Sequence, residues 1–166
     1  MIRTALLAVN DAGPSDERVV ATVEVIRKLL VTGPFVEVDF QVIPDEQALI
    51  RSKLRILSDT PGIDLILTTG GTGLTMKERT PEATKEVIER EVPGLAEYMR
   101  AVGMNNSPRS VLFRGVCGVR RSTLIVNLPG GPKGVTDSLS AILETLPPAI
   151  NYVVGEGRNV LQELTD

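Results

Sequence analysis

Histidine is absent from this 166-residue chain, tryptophan is absent too, and there is one cysteine. Each absence removes a class of chemistry. Without imidazole there is no Ser-His-Asp triad and no Cys-His protease pair. Without histidine or several cysteines the usual zinc sites are excluded. A lone cysteine makes no intrachain disulfide and cannot alone hold an iron–sulfur cluster. Aromatic residues make up only 3%, too few for the stacking platforms that grip single-stranded nucleic acid. The net charge of −3 points away from nucleic acid as a partner, although a local basic patch can still hold phosphate. No apolar run approaches the roughly 20 residues of a membrane span. The apolar run near Met1 stops at Asn10-Asp11, short of a signal peptide. A cytoplasmic protein with no membrane partner is expected. Catalysis, if any, must use carboxylates, hydroxyls, Lys or Arg, backbone amides, or a hard metal such as Mg²⁺ with oxygen ligands.

What is present alternates between two periods. Thr4 to Val9 reads as a buried strand, and Ser15-Asp16-Glu17 starts a helix carrying Val19, Val23, Ile26 and Leu30 at helical spacing. Val36 to Val42 alternates like a strand, and Pro44-Asp45 opens a second helix with Ile50, Leu54 and Leu57 on one face. Asp64 to Thr69 is a strand buried on both faces. Thr80-Pro81-Glu82 starts a helix with Thr80 as cap, running to about Glu91, and Pro93-Gly94 opens another. Arg109 to Val119 reads as strand with a turn, Ser122 to Leu128 as a final buried strand. A helix runs through Val135, Leu139, Ile142, Leu143 and Leu146 until Pro147-Pro148 breaks or kinks it, and the stretch from Gly155 reads as a short surface helix. One domain over residues 1–166 is expected: α/β, three layers, a mostly parallel sheet with helices on both faces. Ligands of such folds collect at the carboxyl ends of the strands.

Two loops fall there. In Thr68-Thr69-Gly70-Gly71-Thr72-Gly73 the glycines let backbone amides approach an anion, and the threonines add hydroxyl donors. The loop lacks the third glycine of a dinucleotide fingerprint and the Lys-Ser/Thr of a Walker A motif. A ligand-binding role is the favoured reading, and a tight strand-to-loop turn with no ligand is the alternative. Asn127-Leu128-Pro129-Gly130-Gly131-Pro132-Lys133 is either structural punctuation or a rigid loop touching substrate. Asp45 is either a plain helix cap or a carboxylate placed to hold Mg²⁺ or accept a proton. Glu78, between Lys77 and Arg79, reads on its own as a solvated charge. Arg109, Arg114, Arg120, Arg121 and Lys133 are candidates for phosphate contacts. Cys117, in apolar context, reads as a small core residue.

Taken in order, Val42-Ile43-Pro44-Asp45-Glu46-Gln47-Ala48, Leu67-Thr68-Thr69-Gly70-Gly71-Thr72-Gly73, Thr80-Pro81-Glu82-Ala83-Thr84, Glu91-Val92-Pro93-Gly94 and Asn127-Leu128-Pro129-Gly130 resemble the MogA/MoaB-type molybdopterin adenylyltransferases. Gephyrin carries a related domain. The resemblance implies a molybdopterin-binding α/β fold and a homotrimer. It implies transfer of AMP from Mg²⁺-ATP to molybdopterin, release of pyrophosphate, and handover to a molybdate-inserting protein. It places the two catalytic, metal-holding carboxylates on Asp45 and Glu78, and the substrate loops on Thr68, Thr69, Gly70, Gly71, Thr72, Gly73, Asn127, Pro129 and Gly130. Glu78 stands where the family has Asp, Phe113 where it commonly has Ser, and the loop from Asn10 to Asp16 is shorter. A non-catalytic molybdopterin-binding or scaffolding paralogue is the alternative. A related nucleotide-metabolism domain with a Gly-Gly-Leu-Gly-Pro-Thr loop is disfavoured by Thr72 and by the missing proline after Gly73.

Overall fold

Alternation of short branched runs with amphipathic ones gives, in chain order, β1 (Ile2–Val9), α1 (Glu17–Leu30), β2 (Phe35–Ile43), α2 (Gln47–Asp59), β3 (Leu65–Thr69), α3 (Thr80–Val87), β4 (Arg90–Glu91), α4 (Pro93–Gly103), a 3₁₀ turn (Pro108–Leu112), β5 (Cys117–Arg120), β6 (Thr123–Leu128), α5 (Pro132–Ile142) and α6 (Leu146–Val154). The structure, a computed structural model, describes residues 1–155. The stretch expected to form a surface helix beyond Gly155 lies outside them.

The six strands form one sheet in the order β2-β1-β3-β6-β5-β4. β1 pairs in parallel with β2 and β3, and β3 with β6. Only β5 runs against the others, pairing antiparallel with β6 on one side and with the edge strand β4 on the other. Successive residues of the central strands enter opposite cores. Leu6, Leu65, Leu67, Leu124 and Val126 pack under α1, α4, α5 and α6, while Ala5, Leu7, Ile66 and Ile125 pack under α2 and α3. Both faces of β1, β3 and β6 are therefore covered, which is why these strands read as unbroken apolar runs. Each fully buried Leu or Ile contributes roughly 1.5–3 kcal/mol by removal from water.

The connection from β1 leads outward to β2, and that from β2 crosses back to β3 on the other side of β1. This reversal opens a crevice at the carboxyl ends of β1 and β3.

Several local expectations change. Thr80 is the first residue of α3 and caps nothing with its side chain. α3 ends at Val87 rather than near Glu91, because Ile88 turns extended and the chain is captured by β5: Glu89 N–H donates to Val119 O and Val92 N–H to Cys117 O, both at 2.8 Å. Gly118 permits that approach, since a Cβ there would strike Ile88 and the Arg90 carbonyl. The stretch from Arg109 is a 3₁₀ turn followed by β5, not one strand. Pro147 and Pro148 do not break a helix but sit in the first turn of a new one, α6, where missing N–H groups cost nothing.

Candidate active site

The loops after β1, β2, β3 and β6 meet at the crevice and line a cleft of about 670 Å³. Its floor is the glycine loop. Gly70 holds φ +91° and Gly71 φ +69°, a region that disfavours side chains. A Cβ on Gly70 would also collide with the Val9 carbonyl at the end of β1. Thr69 Oγ1 donates to the Pro129 carbonyl at 2.6 Å, and Gly130 lies close against Gly70. The loops after β3 and β6 are thus bonded into one surface.

The far arm of the glycine loop is fastened by two charged side chains. Glu78 accepts from Gly73 N–H and Thr75 N–H, each at 3.0 Å, and from Thr75 Oγ1 at 2.8 Å. Desolvation pushes the Glu78 carboxyl up. The bonds from Thr75 and Gly73 and the charge of Arg114 outweigh it, and the group sits below its ordinary value. Arg114 donates to Gly73 O at 2.8 Å and Glu78 O at 3.0 Å, and pairs with Glu82 at 2.9 Å.

Asp45 does not cap α2, which begins two residues later with Glu46 as cap. Its carboxylate instead reaches the start of α3, where Oδ1 accepts from Arg79 N–H at 3.3 Å. Burial raises its pKa above the ordinary value, opposed by the Arg79 N–H. The charges of Asp11 and Glu78 raise it further, and Lys77 acts against them. Asp11, at the end of β1, accepts from Asp45 N–H at 2.8 Å and from Lys77 Nζ at 3.0 Å. Those two bonds hold the Asp11 carboxyl below its ordinary value, and Lys77's charge adds to them. Asp11 was not singled out by the motifs; the available signal was an acidic residue directly after a buried strand, the same pattern that marks Asp45.

The expected site residues divide. Thr69, Gly70, Gly71, Thr72, Gly73, Pro129 and Gly130 line the cleft with Asp45 and Glu78. Thr68 and Asn127 do not, because both are fully buried. Asn127 Oδ1 accepts from Val116 N–H, and its Nδ2 donates to Thr68 Oγ1 and Thr84 Oγ1, all at 3.0 Å. With its amide spent on β3, α3 and the approach to β5, Asn127 braces the floor of the cleft from beneath.

The basic candidates divide likewise. Arg109 and Lys133 line the cleft, Arg114 is spent on the loop, and Arg120 and Arg121 pair with Asp59 at the opposite ends of the strands. Arg18 and Arg100, on helices that read as ordinary amphipathic surface, also line it. The helices and the 3₁₀ turn supply all the cations, Arg18, Arg100, Arg109 and Lys133, along with one carboxylate, Asp137 of α5, while the carboxylates Asp11, Asp45 and Glu78 come from strand-end loops. Phe113 lines the cleft too, its ring laid over Gly115, whose missing side chain leaves the room. Cys117 is buried, and burial pushes its thiol up to about 12, so it is inert.

The fold and cleft define a class: a three-layer α/β protein with a strand-end cleft lined by cations, carboxylates and a glycine loop. Residues 7–149 match the family model described as "Probable molybdopterin binding domain". The chain is 39% identical over 145 residues to the molybdopterin adenylyltransferase of Escherichia coli K12, covering 85% of this chain and 73% of that one. It superimposes on the molybdopterin biosynthesis enzyme MoaB of Thermus thermophilus with TM-score 0.87 and 51% identity, covering 93% and 98% of the two chains. The Mog protein of Mycobacterium ulcerans gives TM-score 0.83 at 32% identity, covering 92% and 99%. The chain belongs to this molybdopterin-binding family, of the MogA/MoaB type.

Proposed function

We propose that the protein acts in molybdenum cofactor biosynthesis as a molybdopterin adenylyltransferase. An oxygen of molybdopterin's terminal phosphate attacks the α-phosphorus of ATP. The bond from that phosphorus to the bridging oxygen breaks, and pyrophosphate leaves with the electron pair. The observation that carries the reading is the gathering about the glycine loop of four cations from the helix side, Arg18, Arg100, Arg109 and Lys133, opposite the strand-end carboxylates Asp11, Asp45 and Glu78, with Asp137 the one carboxylate on the helix side. A phosphate dianion is already a nucleophile at neutral pH, so the reaction needs no imidazole. It needs repulsion between two anions relieved and their approach aligned. Lys133 and Gly134 of the first turn of α5 line one end of the cleft, with Arg18 beside Gly131. Arg100 and Arg109 supply further positive charge, and the amides of the glycine loop lie between the walls.

The donor set fits Mg²⁺. Asp45 presents a hard oxygen, Oδ2, that takes no hydrogen bond. Among the described residues no cluster of three or more His, Cys, Asp or Glu could cage an ion. Mg²⁺ characteristically takes one or two carboxylates and completes its shell with phosphate and water. Asp45 would hold it, and the ion would neutralise charge on the triphosphate. Glu78, expected as a second ligand, acts in this reading by shaping the loop, since three loop donors occupy its carboxylate. The same reading carries a homotrimer, delivery of the product to a molybdate-inserting protein, and a cytoplasmic location. Among the described residues no helix is long and apolar enough to cross a membrane.

Pyrophosphate release from ATP, dependent on molybdopterin and Mg²⁺, tests the proposal. Release no faster than a metal-free blank, with molybdopterin still bound, would replace it with the non-catalytic binding role.

A further inference from the structure

Among the described residues one buried side-chain oxygen has no hydrogen-bond partner, Thr80 Oγ1. Thr80 is fully buried at the first position of α3. Its backbone is fully used: the N–H donates to Gly71 O at 3.1 Å, and the carbonyl accepts from Thr84 Oγ1 at 2.8 Å. Only the hydroxyl is idle. A buried hydroxyl without a partner destabilises the fold, and a methyl group of the same shape would serve packing better. Stability therefore gives no account of it.

Its position does. The hydroxyl occupies the space that Gly71 leaves by lacking a side chain. A Cβ on Gly71 would collide with Thr80 Oγ1 and stand 3.2 Å from Asp45 Oδ2. The idle hydroxyl and the free oxygen of Asp45 thus crowd one point beside the glycine loop. The other oxygen of Asp45 is already held by the neighbouring residue, through Arg79 N–H at 3.3 Å.

We infer that Thr80 is a positioning residue for Asp45. When Mg²⁺-ATP fills the cleft, the Thr80 hydroxyl donates to Asp45 Oδ2. Two adjacent donors, Arg79 N–H and Thr80 O–H, then fix the carboxylate against rotation. The hydroxyl is left idle in the free protein so that it is available in the loaded one. This rests on the adenylyl-transfer reading. It adds to that reading a residue that touches no substrate and acts only through Asp45, in the manner of the outer partners that orient metal-binding carboxylates.

Thr80→Val removes the hydroxyl and keeps the shape; Thr80→Ser keeps the hydroxyl. Thermal melting of the free proteins, melting with saturating Mg²⁺-ATP, and pyrophosphate release with molybdopterin are measured for both variants and wild type. The expected result is a Thr80→Val protein that melts at or above the wild-type temperature when free and gains less from Mg²⁺-ATP. Its kcat/KM falls roughly 10–100-fold, and Thr80→Ser recovers most of that loss. Equal Mg²⁺-ATP stabilisation of wild type and Thr80→Val overturns the assignment, whether or not turnover is seen. So does a Thr80→Val protein with wild-type kcat/KM, or a folded Thr80→Ser protein as slow as Thr80→Val. Failure of wild type itself to release pyrophosphate is a separate outcome that overturns the adenylyl-transfer reading.

Discussion

Replacing Asn127 with leucine removes a buried amide and keeps much of its volume. Val116 N–H loses its acceptor, while Thr68 and Thr84 each lose a donor. An orphaned buried N–H costs roughly 1–3 kcal/mol, and each lost amide–hydroxyl bond about 0.5–1.5 kcal/mol. The sum is about 4 kcal/mol at mid-range. For a chain of this size, roughly 2–4 °C of melting temperature goes with each kcal/mol. Asn127→Leu should therefore melt about 8–16 °C below wild type. At a temperature where it remains folded, its KM for molybdopterin should be close to wild type, because the amide does not reach the cleft. Scanning calorimetry and steady-state kinetics on the same preparations decide the matter. A melting temperature within about 2 °C of wild type, with a large rise in that KM, would refute the reasoning and return Asn127 to the substrate.

Asp45→Asn should abolish pyrophosphate release while slightly stabilising the fold at neutral pH. Folding favours the protonated form of Asp45, so ionisation costs stability as pH rises from its ordinary to its raised folded pKa. The asparagine variant's melting advantage should be present above that window and vanish below it. Glu78→Gln should do the reverse: it should melt lower at neutral pH, with the deficit disappearing as pH falls below the ordinary glutamate range and through the depressed folded value. Glu78→Asp should lower activity, because withdrawing the carboxylate by about 1.5 Å breaks its bridge to Gly73 and Thr75; an increase in rate would show that loop shape is not what Glu78 supplies. Asp11→Ala should slow turnover roughly tenfold or more by removing the acceptor of Asp45 N–H and loosening the Asp45 backbone, whereas Lys77→Met should have the smaller effect, since that pair is exposed; rates in the opposite order would remove Asp11's positioning role.

The architecture was legible because β1, β3 and β6 are each buried on two faces and the helices between them on one, so hydrophobic period alone separates them. β4 was not, because two exposed residues carry no period and became strand only by pairing with β5 across Gly118. The glycine loop announced itself by composition. The opposite roles of Asn127 and Asp11 did not, since a polar residue at a strand end looks the same whether it points into a cleft or beneath it. Arg114 and Arg109 are equally basic in the sequence. Only the fold shows that one is spent on loop carbonyls and the other lines the cleft. Thr80 looked like a cap because capping is the commonest use of a threonine before Pro-Glu; in three dimensions its hydroxyl turns inward, beside Gly71.

Glu78 and Arg114 hold the glycine loop in shape using only bonds internal to the chain. On the proposed reading, a nucleotide entering the cleft would meet a loop already braced by the chain itself, and would not supply the entropy of arranging it. Selectivity would then depend on misfit more than on closure. An anion of the wrong length or charge would leave guanidinium groups of the cleft unsatisfied, and moving the loop to meet it would break the bonds to Glu78 and Arg114. The same bracing sets the difficulty of redirecting the site, since the loop's path is tied to Glu78, which itself lines the cleft, and to Arg114 behind it.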